Sequence, residues 1–597
     1  LEPARDSGAR QYREIKSDGV LTMAQGWSVD DVADSITFLE APPVGVNNVV
    51  VKQYAANAVG GTDAFALGAW STAYGWPTEV EFFSDRLWFA GTPVDPQTIW
   101  GSQIGDYANF GKSTPITASD AVTFTINARQ VNAVMDLVPL DQLLLLTKGG
   151  EFVMTGGQDQ VVTPETIAVK PQSYLGTGGL QAKVVGDTAI FVREQGSHVF
   201  DVGYRYENEG YRPTDLSVWA DHLVEGRTIL RLEWMPAPWS VLPMVRDDGV
   251  LLGCTYMPEQ EVIGWHWHDT GRDLQGTGTD TFLDLVCLPG TQQTELYVLT
   301  QRVVNGVAET YLEEMATSVV DDIRDWFYVD AGLTYDGRNE TATTLALSTA
   351  GGWTELDTLT LTASSVTGIN EGLGFLASDV GDGFLLSTQV LETNPGTGET
   401  ALVPYKVHVQ VASYSSATAV NVIPVGTVPV QLRNVATSEW VFERDTITNL
   451  WHLEGRECAI LTDASVHSRK VVTNGQVTLD APAGVVHVGL PYVAQIESLE
   501  INAAGGYVRD AKKLIYEVSL LLRNTRGVKV GTNLAYLDDV PQRQFEGWGE
   551  PTLPQTGLVK CLVSNQWGEN EGVFHVVSDD PLPCEILAIV PKVMVAG

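Results

Sequence analysis

Three short stretches carry residue types that could do chemistry. Trp265-His266-Trp267-His268-Asp269 sets two imidazoles two residues apart, so on a strand both fall on one face. With Asp269 they could hold Zn²⁺, although local spacing fixes no third ligand, and edge packing or a subunit contact is the plainer reading. Gly105 through Lys112-Ser113 resembles a phosphate loop, but five residues stand between its glycines where the motif needs four. Tyr107 and Phe110 would crowd the amides that should wrap phosphate, so a structural turn is expected. Asp379-Val380-Gly381-Asp382-Gly383 invites a calcium reading, yet it lacks alternating oxygen ligands and a distal Glu. Asn339-Glu340-Thr341 fits a glycosylation acceptor, read as chance. No nucleophile elbow, HExxH or dinucleotide fingerprint occurs. A glycosidase-like carboxylate pair stays open, since 74 acidic residues place many carboxylates close together. No catalytic, cofactor-binding or metal-binding residue is therefore assigned.

The elements that must position these residues are strands. Helical periodicity is scarce, and short apolar or alternating runs end in Gly, Asp, Asn or Pro. Hairpins are expected at 143–155, 189–202, 243–256 and 295–315, after an earlier strand at 86–90. Their starts are separated by 46–57 residues, near the repeat of propeller blades, with an array of sandwiches as the alternative. Residues 331–435 differ: rich in Thr, poor in charge and free of Cys. They read as a small β-barrel inserted into a discontinuous core formed by 1–330 and 436–597. Leu514–Leu522 is read as a strand, although Leu514, Val518 and Leu521 also share a helical face.

The chain has 597 residues, 74 acidic against 36 basic, for a formal charge of −38. Residues 1–330 carry 45 of the acids and 20 of the bases. A generic grip on nucleic acid is excluded, because phosphate binding needs clustered Lys and Arg. Binding to an anionic membrane surface is disfavoured for the same reason. Five Cys, none in a CxxC pair, read as reduced thiols of a chain made in a cytosol. The N-terminal Leu1-Glu2-Pro3-Ala4-Arg5-Asp6 shows no apolar signal core, and no apolar run reaches membrane-spanning length.

Two blocks go beyond composition. The first runs from Tyr74-Gly75-Trp76-Pro77 through Arg86-Leu87-Trp88-Phe89-Ala90-Gly91 to Gly105-Asp106-Tyr107-Ala108-Asn109-Phe110. The second comprises Leu450-Trp451-His452-Leu453-Glu454-Gly455, Asn474-Gly475-Gln476 and Val488-Gly489-Leu490-Pro491. Together they resemble the tail nozzle or tail hub proteins of short-tailed bacteriophages, also called packaged-DNA stabilisation proteins. The resemblance covers most of 65–330 and 436–597, and the insert resembles the barrel such proteins carry. That barrel has been likened to a half-domain of ubiquitin-activating enzymes; without Cys in 331–435, no thioester chemistry follows. Family members usually carry a further N-terminal segment, and this chain begins inside the expected first blade.

The resemblance implies an all-β virion protein with a propeller core, forming a homo-oligomeric ring of six in the phage tail. It implies assembly in the host cytoplasm, contact with the head-to-tail adaptor ring and with fibres or spikes, and passage of double-stranded DNA without specific binding. It implies no enzyme activity and no cofactor, and it identifies no gate residue. A propeller-type glycan-binding or glycan-degrading tail protein is the rival expectation. Arg86, Trp88, Gly91, Gly105, Asp106, His452, Gly455, Asn474, Gly475, Gly489 and Pro491 are structural motif positions under this reading. Asn474-Gly475 is a strong hairpin-turn signal. Pro491 should end a strand, since it has no N–H to donate.

Overall fold

The run Leu143-Leu144-Leu145-Leu146 has no polar face, and its structure shows why. It lies in the strand Leu143–Thr147, the second of a four-stranded sheet, and all four leucines are fully buried. Leu143 and Leu145 pack with Trp88, Ala90, Ile99 and Val122 of the preceding sheet. Leu144 and Leu146 pack with Ala189, Phe191, Phe200 and Val202 of the following one. The next sheet repeats the pattern: Ile190 and Val192 turn to Leu242, Met244 and Leu252 of a fourth sheet. Alternate residues of a strand face opposite ways, so a sheet buried on both faces reads as a continuous apolar run.

The computed structural model describes residues 13–17, 27–30, 35–38, 49–53, 69–70 and 74–595, apart from 128–131, 158–160, 196, 207–208, 272–279, 292, 318, 394–395, 397, 502–511, 543–545, 547–550 and 565–571. Leu1–Asp6 and Gly196, at a predicted hairpin turn, lie outside the described residues. The protein is almost wholly β; the only α-helix among the described residues is Asp221–Val224. The chain forms two compact units, residues 1–268 with 283–297, and residues 269–282 with 298–597.

In the first unit, four antiparallel meanders follow one another at 79–125, 134–173, 183–215 and 229–268. Each has four strands hydrogen-bonded in chain order. Ser84 and Asp85, both at positive φ, turn the first hairpin and pair Phe83 with Arg86. Apart from these four meanders, the strands Thr281–Pro289, Thr294–Val304 and Val307–Glu314, of which the last belongs to the second unit, form a three-stranded sheet.

In the second unit the chain leaves the strand Asp330–Asp336 and returns to its side much later, where Asp336 pairs with Val485 of Val485–Leu490. Glu457–Thr462 and Ser465–Val471 complete that sheet. An eight-stranded sheet takes in the strands from Leu345–Ser348 to Trp440–Ile447 and, after Glu457–Thr462 and Ser465–Val471, the strand Val477–Ala483. Its core holds Leu345, Leu361, Phe384, Val409, Val422, Trp440 and Phe442. Lys513–Thr525 is a strand, flanked by Gln555–Leu562 and Ile586–Val595. Its Ile515, Val518, Leu520 and Leu522 face a separate core, with a register shift between Ile515 and Glu517, whereas Leu514 and Leu521 of the helix-like set stand outside that core. No helix among the described residues is long and apolar enough to cross a membrane.

Candidate functional site

The first motif block folds into one hairpin and the loop it supports. Arg86 and Trp88 are completely buried. The Arg86 guanidinium donates to the carbonyls of Ser102, of Asp120 at 2.7 Å and of Ala118 at 2.8 Å, pinning the loop 102–120 from below. Trp88 Nε1 donates to the Phe83 carbonyl at 2.9 Å. Gly91 and Gly105 both take positive φ, and Asp106 closes a bridge with Gln103. The phosphate-loop lookalike is a turn, because its amides are already engaged. Gly105 N donates to Asp85 O, Asp106 N to Gln103 O, Asn109 N to Asp106 O, Gly111 N to Asn109 Oδ1 and Ser113 N to Asp120 Oδ2. Asp120 is held down at about 2 by the Ser113 hydroxyl and the Thr117 N–H.

The second block is likewise drawn together. Glu454 accepts the N–H of Asn474 at 2.9 Å and of Gly475 at 2.7 Å, so the 450–455 segment grips the 474–475 turn. Gly475, at φ +67°, lies under the Trp451 ring, where any Cβ would come within 2.5 Å. His452 Nε2 donates to the Ala331 carbonyl at 2.7 Å. Gly455 N donates to Val472 O. Gly489 lets Val485–Leu490 approach the Asp330 carbonyl, and Pro491 follows the last residue of that strand. The motif residues fall into two groups, one in each unit.

Of the remaining sequence candidates, Asp379, Asp382 and Asn339 serve the main chain. His266 and His268 lie ring to ring at 5.1 Å. Among the described residues no three His, Cys, Asp or Glu side chains are arranged to hold a metal. Asp379 accepts Leu376 N at 2.7 Å and Asn370 Nδ2 at 2.8 Å, and Asp382 accepts Asp445 N. Asn339 donates to the carbonyls of Thr343 and Ser438 and accepts from Thr341, so its amide is in use.

Two clusters escape sequence reading because their members are far apart in the chain. His198 Nδ1 meets Asp215 and Ser217 at 3.1 Å, and Nε2 meets Asp221 at 3.3 Å. This is not a nucleophilic triad: Ser217 is buried, donates to Asp215 at 2.7 Å and sits on the same ring nitrogen as the Asp. In the second unit, Asp280 joins two arginines. Arg302 Nη1 reaches it at 3.2 Å and Arg456 Nη1 at 3.3 Å, while Arg302 also makes a bidentate pair with Glu313 at 2.6 Å. Gly271, at φ +58°, leaves room for the Asp280 carboxylate where a Cβ would collide.

The clearest chemical pattern is a track of charge on the first strand of each sheet in the first unit. Glu79 and Glu81 share a face of Glu79–Phe83. Asp136 lies on Val134–Pro139, Lys183 opens the third sheet, Arg231 lies on Ile229–Leu232 just before Glu233, and Asp284 follows. Lys183 Nζ pairs with Glu233 at 2.8 Å and Arg231 Nε with Asp284 at 2.8 Å. Among the described residues, Glu79 and Glu81 have no such cation. Burial, then the charge of Asp136, pushes Glu79 up to about 7. Burial pushes Asp136 up to about 6, against the N–H groups of Ala182 at 2.6 Å and Leu137 at 2.9 Å. Asp136 is 6% exposed with both oxygens holding main chain, so it presents no carboxylate to a substrate. The track thus runs from carboxylates without a cation, Glu79 and Glu81, to the neutralised pairs Lys183–Glu233 and Arg231–Asp284.

These two raised values set a pH dependence. An acid whose folded value is raised adds stability that is present below its unfolded value and is lost as pH rises through the folded one. The window runs from about 4, the ordinary carboxylate value, to about 7. Glu79→Gln should therefore gain on the wild type as pH is raised from 5 to 8, read as the difference in urea midpoint at the two values. An unchanged difference would refute the buried-carboxylate assignment.

No family model matches this chain, and no curated protein matches it.

Proposed function

We propose that this chain is a structural protein of a phage virion. In this reading it forms the ring-shaped tail nozzle or hub that closes the head-to-tail channel, retains packaged DNA and opens for ejection. The observation that carries the reading is the run of four-stranded meanders, stacked face against face through apolar strands, with Glu79 and Glu81 on the first strand lacking a cation among the described residues, and the cations Lys183 and Arg231 of the later first strands neutralised by Glu233 and Asp284. Stacked meanders are what propeller blades are made of, and first strands line a propeller's axis. The two motif blocks supply the second support. The eight-stranded sheet, which starts at Leu345 and takes in Trp440–Ile447 and Val477–Ala483 beyond residue 435, is then the inserted barrel, and the core is a propeller resumed around it.

The family resemblance implies six subunits in the ring, and head-to-tail contacts that close are what make rings. It would sit on the adaptor and carry fibres or spikes. An acid-lined passage lets DNA move without sticking, because it offers phosphates no counter-charge. Screening over about 8 Å at physiological salt confines the effect to the wall, so retention itself is steric.

Mass photometry of the chain mixed with adaptor tests the ring: a hexamer mass on adaptor is expected, and a persistent monomer would count against it. Glu81→Lys tests the lining. Assembly should be unchanged and ejection slowed by about twofold or more at low salt, converging on wild type as salt rises. Equal ejection rates at low salt would remove the acidic-lining idea. Release of reducing sugar from host polysaccharide would favour the glycan-degrading alternative instead.

A further inference from the structure

The edges formed by the last strands of the four meanders are not alike. The first ends on a strand of four residues, Val122–Thr125. The second and third end on Ala168–Ser173 and Gly210–Asp215, which carry Lys170-Pro171 and Arg212-Pro213. A cationic side chain and a residue without N–H are standard guards of an exposed edge. The fourth ends on Val262–His268, seven residues with no Pro and no Asp, Glu, Lys or Arg. It pairs along its whole length with Leu251–Met257. Among the described residues, no strand pairs with its other side.

This edge is firmly held and well presented. Trp265 turns inward, and its Nε1 donates to the Leu216 carbonyl at 2.8 Å. Ile263 and Trp267, on either side of it, remain 48% and 53% exposed. The edge therefore offers outward N–H and C=O groups beside two apolar contacts, which only another extended backbone satisfies together. Acidic residues bound it: exposed Glu259 and Glu261 before it, and Asp269 after it. A two-fold pairing of two copies would set Val262 against His268, and hence Glu261 of one copy against Asp269 of the other. In a chain of charge −38 that arrangement is repulsive.

We infer that the Val262–His268 edge is a β-augmentation site for an extended segment of a partner polypeptide, uncharged and rich in β-branched or aromatic residues, with Lys or Arg at both ends. This stands apart from the ring proposal and uses none of its assumptions. The partner's backbone extends the fourth sheet by one strand. Its basic ends meet Glu259, Glu261 and Asp269, and its middle covers Ile263 and Trp267.

The probe is a synthetic nonapeptide, acetyl-Lys-Thr-Val-Thr-Val-Thr-Val-Thr-Lys-amide, titrated into the full chain by calorimetry and followed by hydrogen exchange. Binding with protection of the amides of residues 262–268 is expected, with slowing of about tenfold or more. The same peptide with Glu at both ends should bind about tenfold more weakly. Ile263→Lys with Trp267→Lys installs the guard found on the second and third sheets and should abolish protection at an unchanged melting temperature. Trp267→Tyr should retain it. No protection of 262–268 at saturating peptide, equal binding of the two peptides, or undiminished binding to the double-Lys variant would each overturn the inference. A dimer of the chain alone that the double-Lys variant abolishes would assign the edge to a second copy and overturn it too.

Discussion

Arg86→Ala is expected to lower the stability of the first unit by about 3–5 kcal/mol. The side chain is fully buried and donates to three carbonyls, of Ser102, Ala118 and Asp120. Truncation leaves the buried Ser102 and Asp120 carbonyls without this donor, while Ala118 lies on an exposed stretch where water can replace it. Each buried acceptor so orphaned costs about 1–3 kcal/mol. Arg86→Lys should fall between, because an ammonium keeps the charge but lacks the planar fork that spans separate carbonyls. Thermal unfolding and hydrogen exchange across residues 102–120 check this together. Loss of protection confined to that loop, with a lowered melting temperature, is the expected outcome. An unchanged melting temperature for Arg86→Ala would show that the loop holds itself.

The second large effect is expected at Asp280. Its carboxylate is buried and stands between Arg302 and Arg456. Removing one member of a buried ionic group leaves uncompensated charge and typically costs about 3–5 kcal/mol. Asp280→Ala does so twice over, for two arginines, although Arg302 keeps Glu313. Asp280→Ala combined with Arg456→Met should recover part of the loss, since it withdraws the stranded cation as well. Urea midpoints of the single and double variants decide the matter. If the double variant is no more stable than Asp280→Ala, the cluster is not acting as a unit.

Much of the strand structure was legible because burial on both faces writes itself as uninterrupted apolar sequence. Leu143-Leu144-Leu145-Leu146 is the plainest case, and Ala189-Ile190-Phe191-Val192 follows the same logic. Turns were legible where chemistry demands a particular residue. Asn474-Gly475 adopts the positive φ values that a two-residue hairpin turn needs. The phosphate-loop lookalike was rejected on spacing, and its engaged amides give the physical counterpart of that rejection. The roles of the charged residues were not legible. Arg86 stands in an alternating strand and gives no sign that it reaches a carbonyl 34 residues away. Nothing local links Asp280 to Arg456, 176 residues later. The sequence of Val262–His268 points to its histidines, whereas its distinguishing property is a seven-residue edge without Pro or Lys, visible only beside the four-residue first edge and the guarded second and third.

That 176-residue separation also sets an order of events during synthesis. Translation adds about 5–20 residues per second, so Arg456 emerges about 10–35 s after Asp280. Until then Arg302 and Glu313, made within seconds, are the partners at hand, and the polypeptide must wait with its first unit complete and its second still growing. The segment between is no idle spacer. Once the Leu345–Ser348 to Val477–Ala483 sheet has closed on its own core, the ends it leaves at 336 and 485 are already near each other. A long loop has then become a short one, and the entropy of closing it has been met inside the insert. Variants that slow the folding of that sheet should delay maturation of the whole chain, even when they touch no residue of the sheets that flank it.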